Sequence, residues 1–179
     1  MSSSAFAYYR GSAAVMAYDL AQQPHTGGRT QLCGDAHLSN FGLYGSPERD
    51  LVFDVNDFDE TLPGPFEWDV KRLAASIVLA AQDRGFKKKE ARSAAVAACE
   101  TYREIIQRLA GAGNLQVWYA KVDASMIEER ALAQARSMGR KQEKLARARL
   151  DQIFGKARTK TSARAAGKLT EVVNGKRRF

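Results

Sequence analysis

The stretch GDAHLSNFG, residues 34–42, and the run LVFDVNDFDE at residues 51–60 decide how this chain is read. They place Asp35, His37 and Asn40 between two short apolar runs, and add Asp57 beyond a turn and a strand. An Asp and an Asn five residues apart on one loop, with a second Asp just past a hairpin, can hold Mg²⁺ and orient an attacking hydroxyl. Phosphoryl transfer needs such parts, because its catalysis is mostly positioning and charge neutralisation. Topology supplies the convergence. Residues 30–33 read as a short strand, Asp35 opens the loop after it, and Asn40 closes that loop. Residues 41–44 and 51–55 read as a strand pair joined by the turn-rich GSPERD, which returns Asp57 to the side of the loop. Asp35 would then accept a hydroxyl proton, while Asn40 and Asp57 offer oxygens to the metal.

Around this region the pattern is helical. Residues 12–21 read as a short helix closed by Gln23-Pro24 and the turn formers Thr26-Gly27-Gly28. LPGP at residues 62–65 reads as a break. Val70, Leu73, Ala74, Ile77 and Ala81 then share one face of a helix over residues 67–84, with Glu67 and Asp69 in its first turn and Gly85 at its end. Ala91, Ala95, Ala98, Tyr102, Ile105 and Leu109 recur at helical spacing up to Gly111, and their small side chains predict close packing on a neighbouring helix. A third helix is expected at 124–139, with weaker ones at 141–154 and 162–173. The expected fold is α+β: a small β-hairpin region followed by a predominantly helical body. Trp68 and Trp118 read as core anchors and His25, beside Pro24, as a surface residue.

The 179 residues are the size of one domain. Every long apolar stretch is interrupted by charge, so no membrane span is expected. Arg10 interrupts the start before a signal-like apolar run forms. Cys33 and Cys99, without CxxC spacing, predict neither a disulfide framework nor a zinc site and fit a reducing cytoplasm. The net charge of +8 is uneven. Residues 136–179 carry 14 Lys and Arg against 3 acids, a net of +11, whereas residues 1–135 carry 14 against 17, a net of −3.

FAYYRG at residues 6–11, GDAHLSNFG, and NDFDETLPGPFEWDVKRLAAS at residues 56–76 together resemble the bacterial family called domain of unknown function 2252. GDAHLSN is also similar to the catalytic loop of the aminoglycoside phosphotransferase and HipA-type branch of the protein-kinase-like superfamily. NDFDE resembles that superfamily's metal-binding Asp-Phe-Gly element, with acid in place of glycine. The resemblance implies a lobe like the kinase C-terminal lobe, with Asp35 as catalytic base and His37 buttressing the loop. It also implies Asn40 and Asp57 as metal ligands, and Asp69 bracing the loop through its backbone. Asp54 and Asp59 compete with Asp57 for the metal; Asp57 is favoured because it follows the strand. Cys33 departs from the His that many relatives carry before Gly-Asp. The implied cofactors are Mg²⁺ and ATP, and the implied acceptor is a hydroxyl on a small molecule or protein; nucleotidyl transfer is the variant reaction.

No G-x-G-x-x-G occurs, and only 34 residues precede Asp35, too few for a nucleotide-binding lobe. Residues 1–135 are therefore expected to be the catalytic-loop portion and residues 136–179 a basic helical or linker segment, truncated before the nucleotide-binding segments and inactive alone. Two rival readings remain. DFDET, residues 57–61, matches the D-x-D-x-T element of haloacid-dehalogenase-type phosphatases, with Asp57 as nucleophile and Asp59 as general acid, although helices rather than alternating strands are expected after it. The basic end could bind nucleic-acid phosphates, although a solvated helical face is the plainer account of a charge run and no aromatics interleave there. Asp and Asn also favour turns and caps in their own right.

Overall fold

The computed structural model describes residues 4–46, 48, 50–158, 171–173 and 176–178. These residues form an α+β structure with seven α-helices and three two-stranded sheets, organised as two compact units. The first unit comprises Met1–Gly42 and Val55–Ala120; the second comprises Leu43–Asp54 and Lys121–Phe179. The division by contacts thus falls elsewhere than the change in charge at residue 136.

The first unit begins with α1 (Ala5–Arg10), whose first turn is capped by the Ser4 hydroxyl accepting from the Ala7 N–H, and α2 (Ala13–Ala21). Strand β1 (Arg29–Leu32) pairs antiparallel with β4 (Leu62–Pro65), Leu32 facing Leu62 and Thr30 facing Gly64. LPGP is therefore a strand, not the expected break. A two-stranded ladder has only edges, and there a proline without an N–H is tolerated. Gly64 is needed, because a Cβ would stand 2.6 Å from the Leu32 side chain. Leu32, the innermost apolar residue here, is also held by the Thr61 hydroxyl, which donates to its carbonyl at 2.6 Å.

Helix α3 (Glu67–Asp83) packs against α4 (Lys88–Ala110). The buried Ala91 and Ala95 keep that contact close, as the small residues of α4 predict. The face of α3 expected to be innermost, with Val70, Leu73 and Ile77, is only half-buried. Its most buried residues are polar, Arg72 at 2% exposure and Ser76 at 0%. The unit closes with α5 (Asn114–Trp118), which the spacing did not predict. Trp118 is 83% exposed there and anchors no core. A five-residue helix has too little surface to bury both faces, and Leu115 and Trp118, three apart on one face, point outward. Trp68 is half-buried.

Strands β2 (Phe41–Gly45) and β3 (Leu51–Val55) pair as the expected hairpin, of which Leu43–Asp54 belong to the second unit. The buried Val52 bridges to Asp123, and the Phe53 N–H donates to the Val122 carbonyl at 2.8 Å. Helix α6 (Ala124–Ser137) packs on α7 (Arg140–Arg158), burying Leu132, Ala135 and Phe154. Helix α7 is longer than the weak pattern over 141–154 suggested. Of the helix expected at 162–173, residues 162–170 lie outside the described ones, and Glu171–Val173 instead form β5, antiparallel to β6 (Lys176–Arg178). β-branched Val172 and Val173, which favour strand over helix, account for the difference.

Candidate active site

The loop after β1 lies along a polar stripe of α3. Asp69, Arg72 and Ser76 recur at intervals of three and four and so share one helix face. Asp69 accepts the Cys33 N–H on Oδ2 at 2.8 Å and the Gly34 N–H on Oδ1 at 3.1 Å. Arg72 pairs through Nε with Oδ1 of the buried Asp35. The Ser76 hydroxyl accepts the Leu38 N–H at 2.9 Å and donates to the Leu73 carbonyl at 2.7 Å. One helix thus satisfies the loop's start, its acidic side chain and its middle. Buried polar groups of this kind need such partners, because an unpaired one keeps its full desolvation cost.

Arg72 also joins the loop to the N-terminal helices. Its Nη2 donates to the carbonyls of Tyr9 at 3.0 Å and Arg10 at 3.4 Å, at the C-terminal end of α1 where a cation is favourable. The guanidinium lies 4.6 Å from the Tyr9 ring centroid, and the Tyr9 hydroxyl donates back to the Arg72 carbonyl at 3.1 Å. Burial pushes the Tyr9 phenol above its ordinary value against the opposing effect of Arg72. The Cys33 thiol is pushed up to about 12 by burial and by the Asp69 carboxylate, which leaves it unreactive.

His37 is buried against the edge of Phe6, with ring centroids 6.4 Å apart. Its Nδ1 accepts the Ser39 N–H at 3.1 Å, so the proton of the neutral ring belongs on Nε2, which lies 3.6 Å from Asp35 Oδ2. Burial lowers the imidazole's pKa; Asp35 opposes that shift, and Arg10 and Arg72 add to it. The unfolded chain therefore binds this proton more readily than the native one. Stability from His37 is fully present above the ordinary value of 6.5 and is lost as pH falls from there toward the lowered native value. His37→Gln keeps an acceptor for Ser39 and a donor toward Asp35 but cannot titrate. Urea midpoints at pH 7.5 and 5.5 are expected to differ less in His37→Gln than in wild type; equal differences would show that His37 is not held neutral.

The far end of the loop is set by two hydrogen bonds. The Asn40 Nδ2 donates to the Asp35 carbonyl at 2.8 Å, spanning the loop and leaving Oδ1 as an acceptor. The Asn56 N–H donates to the Asn40 carbonyl at 2.8 Å, which brings the chain entering Asp57 beside the loop end. The Asn56 side-chain Nδ2 lies over Gly42, in space that a Cβ there would contest. Asp57 and Asp59 are exposed, and the Asp59 N–H donates to Asp57 Oδ1 at 3.4 Å. Asp54, the other competing acid, is an exposed residue of β3 and belongs to the second unit.

Asn40 Oδ1 and the carboxylates of Asp57 and Asp59 are hard-oxygen groups on two segments joined by the Asn56-to-Asn40 hydrogen bond. Among the described residues no cluster of three or more His, Cys, Asp or Glu side chains could hold a metal unaided. Mg²⁺ does not require one, because it keeps several waters and is held by one or two carboxylates together with substrate phosphates. Asp35 and His37 are buried, whereas Asp57 and Asp59 are exposed. The sequence did not single out Arg72 and Ser76, although polar residues at helical spacing from Asp69 were the available sign.

Fold and site together define an α+β chain in which the polar face of one helix holds an acidic loop. The chain belongs to the bacterial family described as an uncharacterized protein conserved in bacteria, domain of unknown function 2252, which it matches over residues 1–179. No curated protein and no solved structure matches it. Among the described residues no helix is long and apolar enough to cross a membrane.

Proposed function

We propose that this loop is the catalytic loop of an ATP- and Mg²⁺-dependent, kinase-like phosphotransferase acting on a hydroxyl of a small molecule or protein. The observation that supports it best is the Asn56-to-Asn40 hydrogen bond. It aligns Asp57 with one end of a loop whose other end is braced by Asp69. Asp35 takes the proton of the acceptor hydroxyl on Oδ2, as its Oδ1 is engaged by Arg72. The acceptor oxygen then bonds to the γ-phosphorus while the bond from that phosphorus to the ADP oxygen breaks. Arg72 and the Nε2–H of His37 fix the carboxylate, and Asn40 keeps the loop closed through the Asp35 carbonyl. Asn40 Oδ1 and Asp57, with Asp59 beside them, would hold Mg²⁺, which would neutralise charge on the phosphates.

Mn²⁺ is a suitable probe because it favours the same oxygen ligands and its free form is measured by electron paramagnetic resonance. The chain is expected to bind Mn²⁺, and Asp57→Asn and Asn40→Ala are each expected to weaken binding by about tenfold or more. Both variants should keep the wild-type circular dichroism spectrum. Unchanged Mn²⁺ affinity in both would overturn the assignment.

A further inference from the structure

We propose that the exposed face of α7 binds the phosphate backbone of duplex nucleic acid, a property separate from the loop chemistry above. Glu143, Ala146, Leu150, Phe154 and Ala157 recur at helical spacing and form the packed face, with Phe154 buried. Lys141, Lys144, Ala148, Asp151 and Gly155 recur at intervals of three and four along the opposite face, and all are exposed. Arg140 and Arg147 flank that line on one side, whereas Arg149 lies further round on the other, at the groove between α6 and α7.

The cations are largely uncompensated. Glu143 is engaged by Arg136 at 2.7 Å and lies 3.9 Å from Arg147. Among the described residues Arg140, Lys141, Lys144 and Arg149 have no ion-pair partner. Asp151 is the one acid on the exposed line. Arg140, Lys141 and Lys144, unpaired around a ridge kept low by Ala148 and Gly155, suit a close approach to a duplex phosphate backbone. Each phosphate neutralised there releases condensed counterions, which drives association.

The same features disfavour other polyanions. A single strand is held by stacking on aromatic side chains, and the only aromatic residue of α7, Phe154, is buried. An anionic membrane surface needs an apolar ridge to insert, whereas the middle of this face carries Ala, Asp and Gly. The exposed Leu145 and Ile153 lie with Arg149 to one side, toward the groove between α6 and α7.

The test is fluorescence anisotropy of the full chain with labelled 20-base-pair DNA and RNA duplexes, the matching single strands, and vesicles containing phosphatidylserine, across a salt series. The duplexes are expected to bind more tightly than single strands or vesicles; the DNA and RNA arms show which duplex is preferred. Arg140→Gln/Lys141→Gln/Lys144→Gln should flatten the slope of log K against log salt by about 2.7, at 0.9 per phosphate contact, and weaken binding at 50 mM salt by about tenfold or more. Its helix content and urea midpoint should match wild type, since the three side chains are exposed. Lys160→Gln/Arg164→Gln, which alters basic residues beyond α7, should change the slope less. Equal or tighter binding to single strands or vesicles, or a slope unmoved by the α7 substitutions, would overturn the proposal, as would the absence of duplex binding at 50 mM salt.

Discussion

Arg72→Leu is expected to destabilise the chain by about 3–5 kcal/mol, the range for removing one member of a buried ion pair. The leucine leaves the Asp35 carboxylate buried without its cation and strips donors from the Tyr9 and Arg10 carbonyls. Since α1 meets α3 through the same guanidinium, the loss is expected to extend to packing of the N-terminal helix. Asp35→Asn/Arg72→Leu removes the uncompensated charge and should recover part of the stability, because a pair replaced by neutral groups is often tolerated. Urea unfolding of both single variants and the double closes a thermodynamic cycle. An Arg72→Leu cost below about 1 kcal/mol would show that Asp35 and Arg72 are not a buried pair in solution.

Gly34→Ala is the second large effect. Gly34 has φ +87°, in the left-handed region, and a Cβ there would lie 2.0 Å from the Glu60 carbonyl oxygen. The conformation alone costs an alanine about 1–2 kcal/mol. The collision adds about 1–3 kcal/mol more, because backbone cannot rotate away as a flexible side chain can. Gly27 shares φ +87° but has nothing within 4 Å of its Cβ position, so Gly27→Ala should show the conformational cost alone. Thermal unfolding of the two variants separates the terms. Equal losses would mean that residue 60 yields, and that the approach of the loop to β4 is less constrained than the geometry requires.

Legibility in the sequence followed the kind of signal each element carries. The alternation of four- and three-residue spacings from Ala91 to Leu109 determined α4 and its close contact, because small apolar residues at helical period have few other arrangements. Glu67, Asp69 and Gly85 bounded α3 correctly, since charge and glycine act locally on helix ends. LPGP misled because proline opposes a strand only where its missing N–H is needed, and that depends on which strand lies alongside. The helical period on α3 marked the apolar residues, whereas the deepest positions hold Arg72 and Ser76. Apolar counting cannot find a polar residue whose burial is offset by a loop 35 or more residues earlier. The second unit was also partly hidden, because Val52 joins Asp123 across about seventy residues of intervening chain.

The chemistry divides along the same line. Local sequence by itself placed Asp35, His37 and Asn40 on one loop, Asp57 after the hairpin, and Asp69 in the first turn of a helix. Spacing, turn residues and helix-end charge act over a few residues and can be read from them. Only the tertiary structure decided that Asp35 is clamped by Arg72, that His37 carries its proton toward that carboxylate, and that Asn56 draws Asp57 to Asn40. Each of these depends on desolvation and on the meeting of groups distant in the chain, which acquire energies only once folding has brought them together and removed the water between them.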